Sequence, residues 1–169
     1  MTMPAPVAKR FVVLDCAVDP SLYAHVKRLE PRAGRCLFAG DIHPEVKKVS
    51  PHLLELTADD PLVAQWRGPG WGKAWGMWIT SGEDIYTVWS RLRHFTQVKL
   101  PSGEGPVLFR FWDPRVFRVY MPLVEGPDVE GWFKGIDAYV VEAEDAKGSI
   151  RFTAAGGAVK VETAAVAVV

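Results

Sequence analysis

"LFRFWDPRVFRVYMP", Leu108 to Pro122, places an arginine inside an apolar run and then opens a helix with Asp-Pro-Arg. Read as a strand, the run sends Val107, Phe109 and Phe111 to one face and Leu108, Arg110 and Trp112 to the other. Asp113 suits the N-cap, where its carboxylate accepts from free first-turn amides, and Pro114 suits the next position, which needs no amide. The helix that follows is apolar nearly all round. Val116, Val119 and Tyr120 form one stripe, Phe117 and Met121 another, and Pro122 ends it. Such a helix is buried on two sides, by a sheet and by either another element or a partner.

Local structure explains Asp113 and Pro114 but neither arginine. A guanidinium between a leucine and a tryptophan is costly to bury without a carboxylate, and Arg115 in a first helical turn opposes the helix dipole. A guanidinium fork pairs bidentately with carboxylates, and Asp15 ends the first predicted strand, where an open α/β sheet gathers polar side chains. The expectation is an ion-pair cluster of Asp15 or Asp113 with Arg110 and Arg115. It either pins the strand-turn-helix corner or anchors the rim of a partner-binding cleft.

Towards the N-terminus, RFVVLDC (residues 10–16) is a short β-branched strand, and Leu22, Val26 and Leu29 recur at helical spacing up to Pro31. GRCLFAG (34–40) and HLLEL (52–56) read as strands around a polar loop, and Asp60-Pro61 caps a short helix through Trp66. RGPGWG (67–72) is a turn leading into KAWGMWIT (73–80), whose two apolar faces suit a central strand. Ser81 is placed to cap the next helix, with Ile85, Val88, Trp89, Leu92 and Phe95 on its inner side. TQVKLPSGEGPVLFRFW (96–112) reads as a hairpin, Asp128 to Phe133 as a short helix, IDAYVVEAE with SIRFTA as a late hairpin, and AVKVETAAVAVV as a closing strand with an apolar tail. Strands alternating with short helices predict a mixed α/β (α+β) fold: a mixed sheet, short helices packed on it, and a C-terminal hairpin.

One domain over residues 1–169 fits the length, and 49% apolar with 24% charged residues is ordinary for a globular chain. Twenty basic and twenty acidic residues cancel, so no long-range field advertises nucleic acid or an anionic membrane. Cys16 and Cys36 lie in apolar runs without metal-ligand spacing and are expected as thiols. No apolar run approaches the ~20 residues of a membrane span and the N-terminus lacks a signal-peptide core, so the expected location is the cytoplasm.

The motifs that would carry chemistry are missing: no Gly-x-Ser-x-Gly elbow, no glycine-rich phosphate loop, no His-Glu-x-x-His helix. Asp41 and His43 lie two apart with no third ligand at suitable spacing, so neither metal nor cofactor is expected. Among seven tryptophans, Trp71, Trp75 and Trp78 read as core more readily than as a stacking box. Trp132 and Phe133, in Gly-Trp-Phe-Lys-Gly, read as exposed partner contacts.

"FVVLDCAVDPSLYA", "WGKAWGMWITS" and "VLFRFWDPRVFR" together resemble, in order and spacing, a domain of formerly unknown function found in the effector chaperones, or adaptors, of bacterial type VI secretion systems. The resemblance runs from about Arg10 to about Val140 and leaves residues 145–169, the C-terminal hairpin and apolar tail, uncovered. Its most specific parts are Phe-Arg-Phe-aromatic-Asp-Pro-Arg, with Trp112 in the aromatic place, and the Trp71-Gly72 pair. Asp15, Trp71, Gly72, Trp75, Asp113 and Pro114 are then the structural motif residues. The resemblance implies a non-catalytic cytoplasmic protein that binds one toxin effector and helps load it onto the VgrG spike. The expected partner contacts are Arg110, Arg115, Phe117, Met121, Trp132 and Phe133. The alternative is an enzyme or small-molecule binder using Asp15, Arg110, Asp113 and Arg115 in an anionic-ligand cleft.

Overall fold

The structure, a computed structural model, describes residues 7–165; the end of the predicted apolar tail lies outside them. The chain runs β1 (Lys9–Asp15), α1 (Tyr23–Leu29), β2 (Gly34–Cys36), α2 (Pro44–Lys47), β3 (Pro51–Leu56), α3 (Pro61–Gln65), β4 (Gly76–Ser81), α4 (Ile85–Leu92), β5 (Gln97–Val98), β6 (Val107–Leu108), α5 (Pro114–Tyr120), α6 (Pro127–Phe133), β7 (Ala138–Glu142), β8 (Ser149–Ala155) and β9 (Ala158–Ala164). Seven strands form one sheet in the order β2-β3-β1-β4-β7-β8-β9, and β5 and β6 form a separate ribbon. Every strand pairing in both is antiparallel. This is the expected mixed α/β fold with C-terminal strands, but the sheet is antiparallel throughout and not mixed.

Both faces of the sheet's central strands are covered, which explains why those strands are apolar on both sides. Phe11, Val13, Met77, Ile79, Tyr139 and Val141 face α4, α5 and α6. Val12, Leu14, Trp78 and Val140 face α1, α3 and Trp66. β4 is the middle strand of the seven, as its two apolar faces predicted. It begins at Gly76 and not at Lys73, because Ala74 has φ 55° and Gly76 φ 140°, values that break extended backbone. A Cβ on Gly76 would lie 1.9 Å from the Val13 carbonyl oxygen, so only glycine lets β4 approach β1 there.

Asp84, not Ser81, caps α4, its Oδ1 accepting from the amides of Tyr86 and Thr87 at 2.9 and 3.0 Å. The strand alternation assigned to residues 107–112 stops at Leu108, the end of β6. From there the chain turns, with the Asp113 amide donating to the Arg110 carbonyl at 3.1 Å, so Phe111 and Trp112 both enter the same core. Among the described residues no helix is long and apolar enough to cross a membrane.

Candidate functional site

Asp15 ends β1 at the edge of the sheet where β4 begins and β7 ends, and its amide donates to the Trp75 carbonyl at 2.7 Å. Asp113 caps α5 from the loop crossing above this edge. Between them runs a chain of four charges. Arg110 Nη2 lies 2.7 Å from Asp15 Oδ2 and 4.0 Å from Asp113 Oδ2. Arg115 closes bidentately on Asp113, with Nε donating to Oδ1 at 2.9 Å and Nη2 to Oδ2 at 2.7 Å. The same Oδ1 accepts the Arg115 amide at 2.9 Å. An arginine in a first turn is therefore tolerated because its side chain folds back on the cap.

The carboxylates are buried and the guanidiniums partly open: the side chains of Asp15 and Asp113 are 2% and 6% exposed, those of Arg110 and Arg115 42% and 62%. Burial alone would raise the Asp113 carboxyl. The hydrogen bonds from the Arg115 side chain and amide, with the charges of Arg115 and Arg110, outweigh it and hold the group below its ordinary value. Asp113 is thus held as a paired anion, and Asp15 is paired through Arg110. Arg110 commits one nitrogen to them and Arg115 two, so further N–H donors remain for an outside acceptor.

The Trp71-Gly72 pair joins the same edge through Glu142, the last residue of β7 and one that sequence reasoning overlooked. Glu142 Oε2 accepts the Gly72 amide at 2.7 Å and Oε1 the Ala74 amide at 3.0 Å. Burial raises its carboxyl, offset in part by these two amides. Arg118 Nη1 donates to the Glu142 carbonyl at 3.0 Å, and the Trp71 indole donates to the Gly148 carbonyl at 3.2 Å. A Cβ on Gly72 would come within 2.8 Å of the Ala146 Cβ, so a glycine is needed where this loop meets the β7–β8 turn. The only sequence signal for Glu142 was an acid ending an otherwise apolar strand. Lys73, Arg115, Arg118 and Glu142 line an open cleft of about 390 Å3 between the two motifs.

Trp75 is core: it is 6% exposed, packs edge-on to Trp66 with centroids 6.0 Å apart, and covers Gly70 so closely that a Cβ there would meet its ring at 2.3 Å. Pro114 is buried at the start of α5. The expected exposure of the apolar contacts is wrong. Phe117 and Met121 are fully buried, Trp132 is 4% and Phe133 8% exposed. Gly126, at φ 59°, turns α6 back onto the sheet. There Trp132 stacks flat on Phe95, 3.7 Å between centroids at 11°, and meets Phe111, Phe117 and Tyr139 edge-on. The outward apolar residues of this region are Val119 and Leu123.

Cys16 and Cys36 are free thiols, and among the described residues no group of three or more His, Cys, Asp or Glu is placed to hold a metal. No curated protein and no solved structure matches the chain. A family model does, over residues 10–129, spanning β1, the Trp71-Gly72 loop, the whole Asp-Arg corner and α5: the chain belongs to the family described as a domain of unknown function, DUF4123.

Proposed function

We propose that this protein is a non-catalytic cytoplasmic adaptor that binds one toxin effector of a type VI secretion system and helps deliver it to the VgrG spike. The observation that carries the reading is the convergence of the two motifs on one edge of the sheet. The Trp71-Gly72 loop and the Asp113-Pro114-Arg115 turn are fixed by Glu142, Asp15 and Asp113. The guanidiniums of Arg110 and Arg115 are held there half-open to solvent. Acids already paired with arginines make poor general bases, whereas fixed guanidiniums set the register of a protein partner. Arg110 and Arg115 are the residues retained as partner contacts.

The test is affinity capture of the tagged full chain from its native host, followed by co-expression with the protein recovered. The expected result is a single toxin effector whose soluble yield rises on co-expression and which stays bound through gel filtration. Turnover of a small substrate by the purified chain alone, lost on Asp15→Asn, would replace this reading with the enzymatic one.

A further inference from the structure

Phe38 lines two clefts that meet beside α4, away from the Asp-Arg corner. One, of about 390 Å3, is bordered by Arg35, Cys36, Lys47 and Trp89; the other, of about 520 Å3, by Arg93, His94, Gln97 and Leu108. Two arginines flank the combined groove. The Arg35 guanidinium sits 5.4 Å from the centre of the Tyr86 ring and that of Arg93 4.7 Å from Trp89, while the two rings lie 5.5 Å apart. Trp89 is itself fixed by its indole N–H, which donates to the Cys36 carbonyl at 2.6 Å. Stacking on a positioned aromatic holds a guanidinium in place without neutralising it.

Arg110 and Arg115 each meet a carboxylate; Arg35 and Arg93 form no ion pair among the described residues. The Arg35 Nε is moreover buried without a hydrogen-bond partner. The acids lining the first cleft do not supply one: Glu30 is engaged by Lys47 at 2.9 Å, and Asp41 forms no ion pair with Arg35. At the other end the β5–β6 ribbon pairs with no further strand and exposes Val98, Leu100, Val107 and Leu108. Of these Leu108 lines the groove, which thus joins two guanidiniums without an ion pair to the apolar side chains of Phe38 and Leu108. The groove also borders β2, an edge strand of the sheet, along which an extended chain is readily accommodated.

We propose that this groove seats an extended segment of a partner protein whose carboxylates meet Arg35 and Arg93 and whose apolar side chains cover Phe38 and Leu108. This deepens the adaptor reading and rests on it for the partner being a protein. The apolar side chains of Phe38 and Leu108 between the two arginines favour a peptide over nucleic acid, and the overall charge of zero agrees.

The experiment selects short random peptides on the immobilised full chain and measures recovered sequences by fluorescence anisotropy. Expected are peptides enriched in Asp or Glu between apolar residues, binding at least about tenfold more weakly to the Arg35→Ala/Arg93→Ala variant. Leu108→Asp, on the exposed ribbon, gives an independent measurement should the double variant fail to fold, and it too is expected to weaken binding. An empty selection, peptides without acidic enrichment, binding unchanged in the variants, or binding of a single-stranded DNA oligonucleotide alone overturns the proposal. An effector captured equally by wild type and variants would remove the groove and leave the adaptor reading standing. Peptide binding without any captured effector would do the reverse.

Discussion

Arg110 Nη2 and Asp15 Oδ2 lie 2.7 Å apart across 95 residues of sequence, tying the loop before α5 to the end of the sheet's β1 strand. Removing the guanidinium leaves Asp15 buried with the Ala17 amide, 3.0 Å from Oδ1, as its remaining hydrogen bond. Arg110→Ala is therefore expected to destabilise the fold by about 2 kcal/mol, below the 3–5 typical of a fully buried pair because Arg110 is partly solvated. Arg115→Ala, whose guanidinium is more open, is expected to cost about 1 kcal/mol. Urea unfolding of both variants checks the order; equal losses would mean that the exposure difference does not govern the two pairs.

Trp132→Ala is expected to be far more damaging, at about 3–5 kcal/mol, because it empties a site ringed by Phe95, Phe111, Phe117 and Tyr139. The Trp132 carbonyl also accepts the buried Tyr139 hydroxyl at 2.6 Å, so any shift of α6 disturbs that bond as well. Near-UV circular dichroism and thermal melting should show the loss directly. A variant that folds normally and loses only partner binding would restore Trp132 to the surface role its sequence context suggested.

What was legible in the sequence was what local physics decides. The apolar runs of β1, β3, β4 and β7 and the caps Asp60 and Asp113 follow from side-chain alternation and from carboxylates beside free amides. Arg110 and Arg115 were legible as needing carboxylates because their cost is intrinsic, although which acid each would meet was not. Long-range pairing hid the rest. Glu142 meets Gly72 across 70 residues, and nothing near either residue announces the other. Trp132 and Phe133 are buried by rings brought from β7, α5 and the segments around residues 95 and 111, a tertiary fact with no local signature. Ser81 was misread because Asp84 lies three residues on and is the better acceptor.

Gly76→Ala tests the approach of β4 to β1 at Val13. The new methyl would lie 1.9 Å from the Val13 carbonyl oxygen, at a φ of 140° that side chains rarely adopt. The expected outcome is a loss of about 3 kcal/mol or more, or no soluble protein, since strain and a displaced β1–β4 register add. Gly103→Ala, with open space around its Cβ position and φ 76°, isolates the conformational part and is expected to cost about 1 kcal/mol. Similar losses in the two would show that backbone conformation, and not the contact with Val13, sets the requirement.

His52 gives the fold a pH dependence whose sign follows from its surroundings. Its ring is buried between Cys16 and Tyr23, its Nδ1 lies 2.9 Å from the Ser50 carbonyl, and its Nε2 is buried without a hydrogen-bond partner. The groups facing Nε2 are Glu30, 3.9 Å away, and Lys47, which Glu30 already engages. Burial disfavours the imidazolium more than the Ser50 carbonyl and Glu30 favour it, so the folded-state pKa lies below the ordinary value near 6.5. The unfolded chain then takes up its proton first as pH falls. Stability is full above about pH 6.5 and declines between there and the lower folded value. In His52→Leu the Ser50 carbonyl loses its donor, at about 1–3 kcal/mol independent of pH, and the slope over that window disappears. The difference between wild type and variant across pH 7 to 5, measured by urea unfolding, isolates His52, because Asp113 and Glu142 titrate in both proteins. A difference that stays constant over the range would show that His52 is not desolvated in the native state.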